Sequence, residues 1–139
     1  NKDEVALAAF DYNFARITNY IKKRILATEN SIERLLVYPN VYRDFLKIPF
    51  LKAGCPILNT STEADDTHPE LRERAATALA FWRTSLENQI KCNTKPTEVA
   101  VVMMSLIEGA VMQAKVHGKS TELKITMQFL TQYILSLKE

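Results

Sequence analysis

The chain has 139 residues, of which 47% are hydrophobic and 24% charged, and a formal net charge of +2. That length suits one domain burying roughly two-thirds of its unfolded surface, so a core forms without disulfide or metal staples. The small net charge argues against nucleic-acid binding by these residues themselves, and without a run of about 18 consecutive apolar residues no membrane span is expected. Three glycines favour long helices over a turn-rich β fold. No signal-peptide pattern is visible. The chain starts at Asn1 rather than Met, as a fragment or a processed product would. Cys55 and Cys92 are too widely spaced for a CxxC pair, and they fit reduced thiols in a cytoplasmic protein.

A first helix opens at Asn1, where Asn1 and Glu4 have capping-box spacing. Leu7, Phe10, Phe14, Ile17 and Ile21 recur at steps of three and four and share one face. Lys22-Lys23-Arg24 reads as a solvated helix end. Asn30-Ser31-Ile32-Glu33 repeats the capping pattern and starts a second helix. Its stripe Leu35, Tyr38, Tyr42, Phe45 continues across Pro39, which predicts one kinked helix rather than two. Pro49, in the stretch from Lys47 to Lys52, ends it. Gly54 and Pro56 punctuate the one long interruption of the helical pattern, and residues 55 to 65 have room for a short helix.

Thr67, Pro69 and Glu70 announce the next long helix: a Thr cap, an early proline and a capping-box Glu. Leu71, Ala75, Ala78, Trp82, Leu86 and Ile90 form its buried stripe. Asn93-Thr94-Lys95-Pro96 is the next connection. From Pro96 to His117 the sequence is apolar on nearly every face, as expected of a helix buried on all sides. In a small chain one side can face the core and the other a second subunit. The small residues Ser105, Gly109, Ala110 and Ala114 would allow a close approach there, and Gly118 ends the helix. In the last helix, from Ser120 to Leu137, Leu123, Met127, Leu130, Ile134 and Leu137 form a heptad-like seam. Phe129 and Tyr133 supply a second apolar face. The two final helices therefore predict a four-helix dimer interface. Its candidate residues are Leu106, Gly109, Ala110, Gln113, Ala114, His117, Leu123, Met127, Leu130 and Ile134.

Catalytic signatures are missing. The chain has no phosphate-binding Gly loop, no GxSxG and no Glu-x-x-His. His68 and His117 lack metal-ligand spacing and suit a helix entrance and a helix exit. No catalytic residue, metal or cofactor is expected. Near Cys55, the acidic residues Glu63, Asp65 and Asp66 would raise the thiol pKa, which suits a structural cysteine better than a sensor. Glu108 is a carboxylate within an apolar helix. It could meet a ligand donor or titrate abnormally, or it could find a partner on a neighbouring helix or a solvent edge. Phe10, Phe14, Ile17, Tyr38, Tyr42, Phe45, Trp82, Met103, Met104 and Ile107 fit a small-molecule pocket, apolar with tyrosine handles. They equally fit an ordinary helical core.

Gly54-Cys55-Pro56-Ile57-Leu58-Asn59, then Glu63-Ala64-Asp65-Asp66-Thr67-His68-Pro69 and Glu70-Leu71-Arg72-Glu73-Arg74, resembles the regulatory domain of TetR/AcrR-type transcriptional regulators. Tyr42-Arg43-Asp44-Phe45 and Leu106-Ile107-Glu108-Gly109-Ala110 with Met112 match as well. Asn1-Lys2-Asp3-Glu4 looks like the junction after the family's helix-turn-helix domain. Cys92-Asn93-Thr94-Lys95 departs from the Gly-containing turn expected there. The resemblance implies an all-α bundle of about five to six helices, residues 1–139 forming one effector-binding and dimerisation domain. It implies a cytoplasmic bacterial homodimer, with the last two helices at the interface. A small apolar or amphipathic effector would sit inside the bundle, and operator DNA would be read by an N-terminal domain outside this chain. The alternative is a helical homodimeric interaction module with no small-molecule ligand. An enzyme would need a convergent acid, base or metal site, which the residues do not supply.

Overall fold

The computed structural model describes residues 1–63, 67–91 and 95–137, and among these every regular element is helical. Helix α1 spans Lys2–Leu26, α2 Ser31–Arg43, α3 Pro56–Glu63, α4 Pro69–Gln89, α5 Pro96–His117 and α6 Thr121–Ser136. Two short 3-10 turns, Phe45–Lys47 and Pro49–Leu51, link α2 to α3.

The caps follow from the sequence. Asn1 Oδ1 accepts from the Glu4 amide at 2.9 Å, and the Glu4 carboxylate reaches back to the Asn1 nitrogen. Asn30 Oδ1 accepts from Ile32 at 2.8 Å and Glu33 at 3.2 Å, so two orphan donors of α2 are satisfied by one side chain. Gly118, at φ +69°, closes α5 in the left-handed conformation and donates to Ala114 O at 2.9 Å. At α4 the cap is His68 rather than Thr67. Its Nδ1 accepts from the Leu71 amide at 3.2 Å, and Pro69 takes the first helical position. The Thr67–Glu70 pattern mimics a capping box, but His68 offers an acceptor one residue nearer the helix.

Helix α2 runs through Pro39 and stops at Arg43. Phe45, expected on the same helix, stands in the following 3-10 turn, yet it remains 1% exposed because that turn folds the ring back onto Tyr42. Helix α1 packs on α2, α3 and α4, and α6 packs on α5 and α2. On the outside of α1, Arg74 pairs with Asp11, and the Arg16 guanidinium lies 4.6 Å from the Phe50 ring centre.

Helix α5 is long and apolar enough to cross a membrane by length and composition, with mean hydropathy 1.6 over its best window. A criterion of uninterrupted apolar residues passes over it because Ser105, Glu108 and Gln113 break the run. Its position in the bundle accounts for that apolarity on one side: Val99, Ala100, Met103, Ile107, Ala110, Val111 and Ala114 are buried against α2, α4 and α6.

One expectation is overturned here. Leu123, Met127, Leu130 and Ile134 are 0–1% exposed inside this chain, and Ala110 and Ala114 are as deeply buried. The seam of α6 closes on α5 and α2 of its own chain. The residues facing out from these two helices are instead Val101, Val102, Met112 and Val116 on α5, and Ile125, Phe129 and Leu135 on α6. Phe129 is 65% exposed and Val116 77%. Of the remaining candidates, Gln113 and His117 point outward, Gly109 has open space where a Cβ would stand, and Leu106 is half-buried.

Candidate functional site

A cavity of about 360 Å³ lies between α1, α2, α4 and the start of α3. Helix α1 supplies one wall through Phe14, Ile17, Thr18, Ile21, Lys22 and Ile25, which lie on adjacent turns of one face. Helix α4 supplies the opposite wall through Phe81, Trp82, Ser85 and Gln89. Tyr38 and Tyr42 close it from α2, and Cys55, Pro56 and Ile57 form its floor.

The floor is held by the Gly54–Asn59 segment. Gly54 has φ +99°, a conformation that L side chains rarely adopt. A Cβ there would lie 3.1 Å from Asn59 Oδ1 and 3.3 Å from Lys115 Cδ. Asn59 Nδ2 donates to Ala53 O at 2.9 Å, and Lys115 Nζ donates to Asn59 Oδ1 at 2.8 Å. The strap thus ties the turn before α3 both to itself and to α5, and it presents Cys55 and Pro56 to the cavity.

Polar groups cluster at one end. Gln89 Nε2 donates to Tyr38 Oη at 3.0 Å and to Ser85 O at 2.9 Å. Tyr38 accepts that bond and keeps its own proton to donate. Gln89 Oε1 is buried with no hydrogen-bond partner among the described residues. Behind the floor stands Glu108 of α5. The Cys55 thiol lies against its carboxyl, but both carboxyl oxygens are buried without a partner at hydrogen-bond geometry.

Burial governs ionisation here. It pushes Glu108 above the usual carboxylate range, although the Cys55 contact acts the other way. The Cys55 thiol is pushed up strongly, first by burial and then by the charge of Glu108. Tyr42 is raised well above the usual phenol value by burial, then by Cys55, Glu108 and Tyr38, and Tyr38 is raised by burial despite its bond to Gln89. At neutral pH these phenols and the thiol are protonated, so Cys55 is a poor nucleophile. Glu63's side chain, Asp65 and Asp66, expected to act on this thiol, lie outside the described residues, as does Cys92. Among the described residues no three His, Cys, Asp or Glu side chains converge to hold a metal.

The structure brings together Phe14, Ile17, Tyr38, Tyr42 and Trp82 of the candidate pocket set. Phe10, Phe45, Met103, Met104 and Ile107 do not line the cavity; they are buried in the core around it. A helical stripe reports that a residue is buried, and it carries no information on whether empty space lies beyond. Missed on the sequence were Phe81, Ser85 and Gln89, which follow one another at steps of four beside the Ala78–Trp82–Leu86 stripe. That spacing was the signal, hidden because Ser and Gln read as surface.

The model for the tetracyclin repressor-like C-terminal domain family matches residues 31–130. An HTH-type transcriptional regulator of Mycobacterium tuberculosis, itself uncharacterized, is 28% identical over 126 residues, in both strain CDC 1551 / Oshkosh and strain ATCC 25618 / H37Rv. The match covers 84% of this chain and 65% of the relative, so the chain spans just under two-thirds of the mycobacterial protein's length. Among solved structures, a TetR transcriptional regulator from Chloroflexus aurantiacus superposes with TM-score 0.89 at 30% identity, covering 98% of this chain and 73% of that one. A TetR-family regulator from Cytophaga hutchinsonii gives TM-score 0.90 at 32% identity, covering 99% and 74%.

Proposed function

Because this chain belongs to the tetracyclin repressor-like C-terminal domain family of TetR-type transcriptional regulators, we propose that it is the effector-binding and dimerisation part of a cytoplasmic repressor. It catalyses no reaction. A small apolar or amphipathic effector occupies the cavity between α1 and α4. Operator DNA is bound by a helix-turn-helix segment outside residues 1–139, and effector binding releases it.

The observation that supports this most is that α1 forms a whole wall of the cavity. A ligand that prefers one position of α1 moves the helix whose N-terminal end leads toward the DNA-reading segment. Only a difference in affinity between the two positions shifts the equilibrium. A coupling of about 1–3 kcal/mol changes DNA affinity roughly 5- to 150-fold, which a few contacts with Phe14, Ile17 and Ile21 supply. Phe14→Ala and Tyr42→Ala are expected to weaken effector binding and operator release together. Unchanged affinity and release in both variants would refute the site.

Dimerisation uses the outward apolar face of α5 and α6. Val101, Met112, Val116, Ile125, Phe129 and Leu135 form an apolar surface that water does not favour. Two-fold pairing of that face in a second copy covers it with itself. This surface also supports the simpler reading of a homodimeric module without a ligand. Thermal denaturation with and without a bound apolar compound separates the two. A ligand at 100 times its Kd stabilises by about 2.7 kcal/mol, whereas a module without a ligand site gives no shift.

A further inference from the structure

Helices α1 and α4 run parallel, and their contacts fix the register along the cavity. Asp3 approaches His68 at 3.6 Å, Asp11 pairs with Arg74, and the Phe14 ring meets Phe81 edge-on at 6.2 Å. Steps of four, about 6 Å along each helix, carry Phe14 to Thr18 and Lys22, and Phe81 to Ser85 and Gln89. All of these residues line the cavity. Lys22 therefore stands beside Ser85 and Gln89, and among the described residues it is the one charged side chain in the lining. The basic run to which it belongs divides in the structure: Arg24 stacks on the Tyr20 ring, Lys23 lies off the cavity, and Lys22 turns to it. Lys22 has no ion-pair or hydrogen-bond partner among the described residues.

The groups around Lys22 have protons to give. Tyr38 accepts from Gln89 Nε2 and keeps its own proton to donate. The hydroxyls of Thr18 and Ser85 are unengaged among the described residues, so each is free to donate. Glu108 lies behind Cys55 and does not line the cavity, so no acid of the lining neutralises this end. We propose that the cavity takes an amphipathic carboxylate, its head group held by Lys22, Ser85 and Tyr38 and its apolar body between Phe14, Ile17 and Trp82. This rests on the reading of the cavity as the effector site and names the chemical class of the effector. Leu26, also in the lining, is 71% exposed. This end therefore opens to water, and the head group keeps part of its hydration, which limits the cost of taking it in. The ammonium of Lys22 carries three donors. Drawn inward by the anion, it has one to spare for Gln89 Oε1, which is buried without a partner. A cationic head group in the same place would meet Lys22 as a like charge.

The test uses three probes of one shape: phenylbutyrate, phenylbutanol and phenylbutylamine. Binding of each is measured by calorimetry at low ionic strength, where an ion pair open to water is least screened. The chains are wild type, Lys22→Gln and Lys23→Gln, the last removing the same charge one residue off the cavity. Wild type is expected to bind the carboxylate about tenfold more tightly than the alcohol, and the amine more weakly than either. Lys22→Gln should bring carboxylate and alcohol to the same affinity, and Lys23→Gln should keep the wild-type ranking. Equal affinities of carboxylate and alcohol in wild type, tighter binding of the amine, a preference that survives Lys22→Gln, or one lost equally in Lys23→Gln would overturn the charge selection while leaving the cavity as a binding site. Failure of all three probes to bind would overturn both readings. The wild-type ranking and Lys23→Gln decide the matter even if Lys22→Gln does not fold.

Discussion

The two halves of this bundle solve opposite problems. Around α5 and α6 the inner face is filled: Leu123, Met127, Leu130, Ile134 and Met103 are essentially inaccessible, while the outer face leaves Val116, Ile125 and Phe129 in water. Between α1 and α4 the arrangement is reversed. The interior holds a cavity with the unsatisfied Gln89 Oε1 at one end, and the outer surface is tied down by polar contacts, the Arg74–Asp11 ion pair and the approach of His68 Nε2 to Asp3 at 3.6 Å. A filled half suits a rigid frame, and a hollow half with polar fastenings suits an element that shifts. The sharing of labour proposed above, pairing on one side and ligand sensing on the other, grows out of that contrast.

The largest effect should come from hollowing the filled half. Leu130→Ala is expected to destabilise by about 2–5 kcal/mol in urea denaturation, whereas Phe81→Ala, on a half-exposed ring beside existing empty space, should cost less than about 1 kcal/mol. Equal losses would erase the distinction between the halves. Next comes the strap under the cavity. Gly54→Ala forces a Cβ into a positive-φ backbone and against Asn59, and a loss of about 1–3 kcal/mol is expected in the same assay. On the outer face, Phe129→Glu should weaken self-association at least about tenfold in sedimentation equilibrium without altering probe binding in the cavity.

A smaller effect of opposite sign is expected at Glu108. Its folded pKa is raised by burial, so the folded state holds the proton more tightly than the unfolded chain, whose Glu titrates near about 4.3. Stability from this group is complete below that unfolded value. It declines as pH rises toward the raised folded value and stays low above it. Glu108→Gln should therefore be more stable than wild type at neutral pH and show little difference in mild acid, read by thermal melting at both pH values. A variant less stable at neutral pH would mean that the carboxylate has a partner in the fold.

Much of this was readable in advance, and the misses share one cause. Asn1, Asn30 and Gly118 were legible because caps are local chemistry, decided by neighbours in sequence. The α6 seam was legible as a buried face, but steps of four and three do not say whose helix buries it, and Leu123, Met127, Leu130 and Ile134 went to the chain's own α2 and α5. Tyr38, Tyr42 and Trp82 were found as amphipathic residues on inward faces. Phe45, Met103 and Ile107 looked the same because packing density is a property of the assembled bundle. Glu108 stood out as an acid among apolar neighbours, and only the fold showed that Cys55 and the cavity floor lie against it.

The measurement that tests the account most directly uses Trp82, the single tryptophan of the chain and a wall of the cavity. Its fluorescence is followed while phenylbutanol is titrated into wild type, Ser85→Phe, which fills the space beside it, and Phe129→Glu on the far face. The account predicts a saturable change in wild type and Phe129→Glu and none in Ser85→Phe. No change in wild type, or one that survives filling of the cavity, would contradict it.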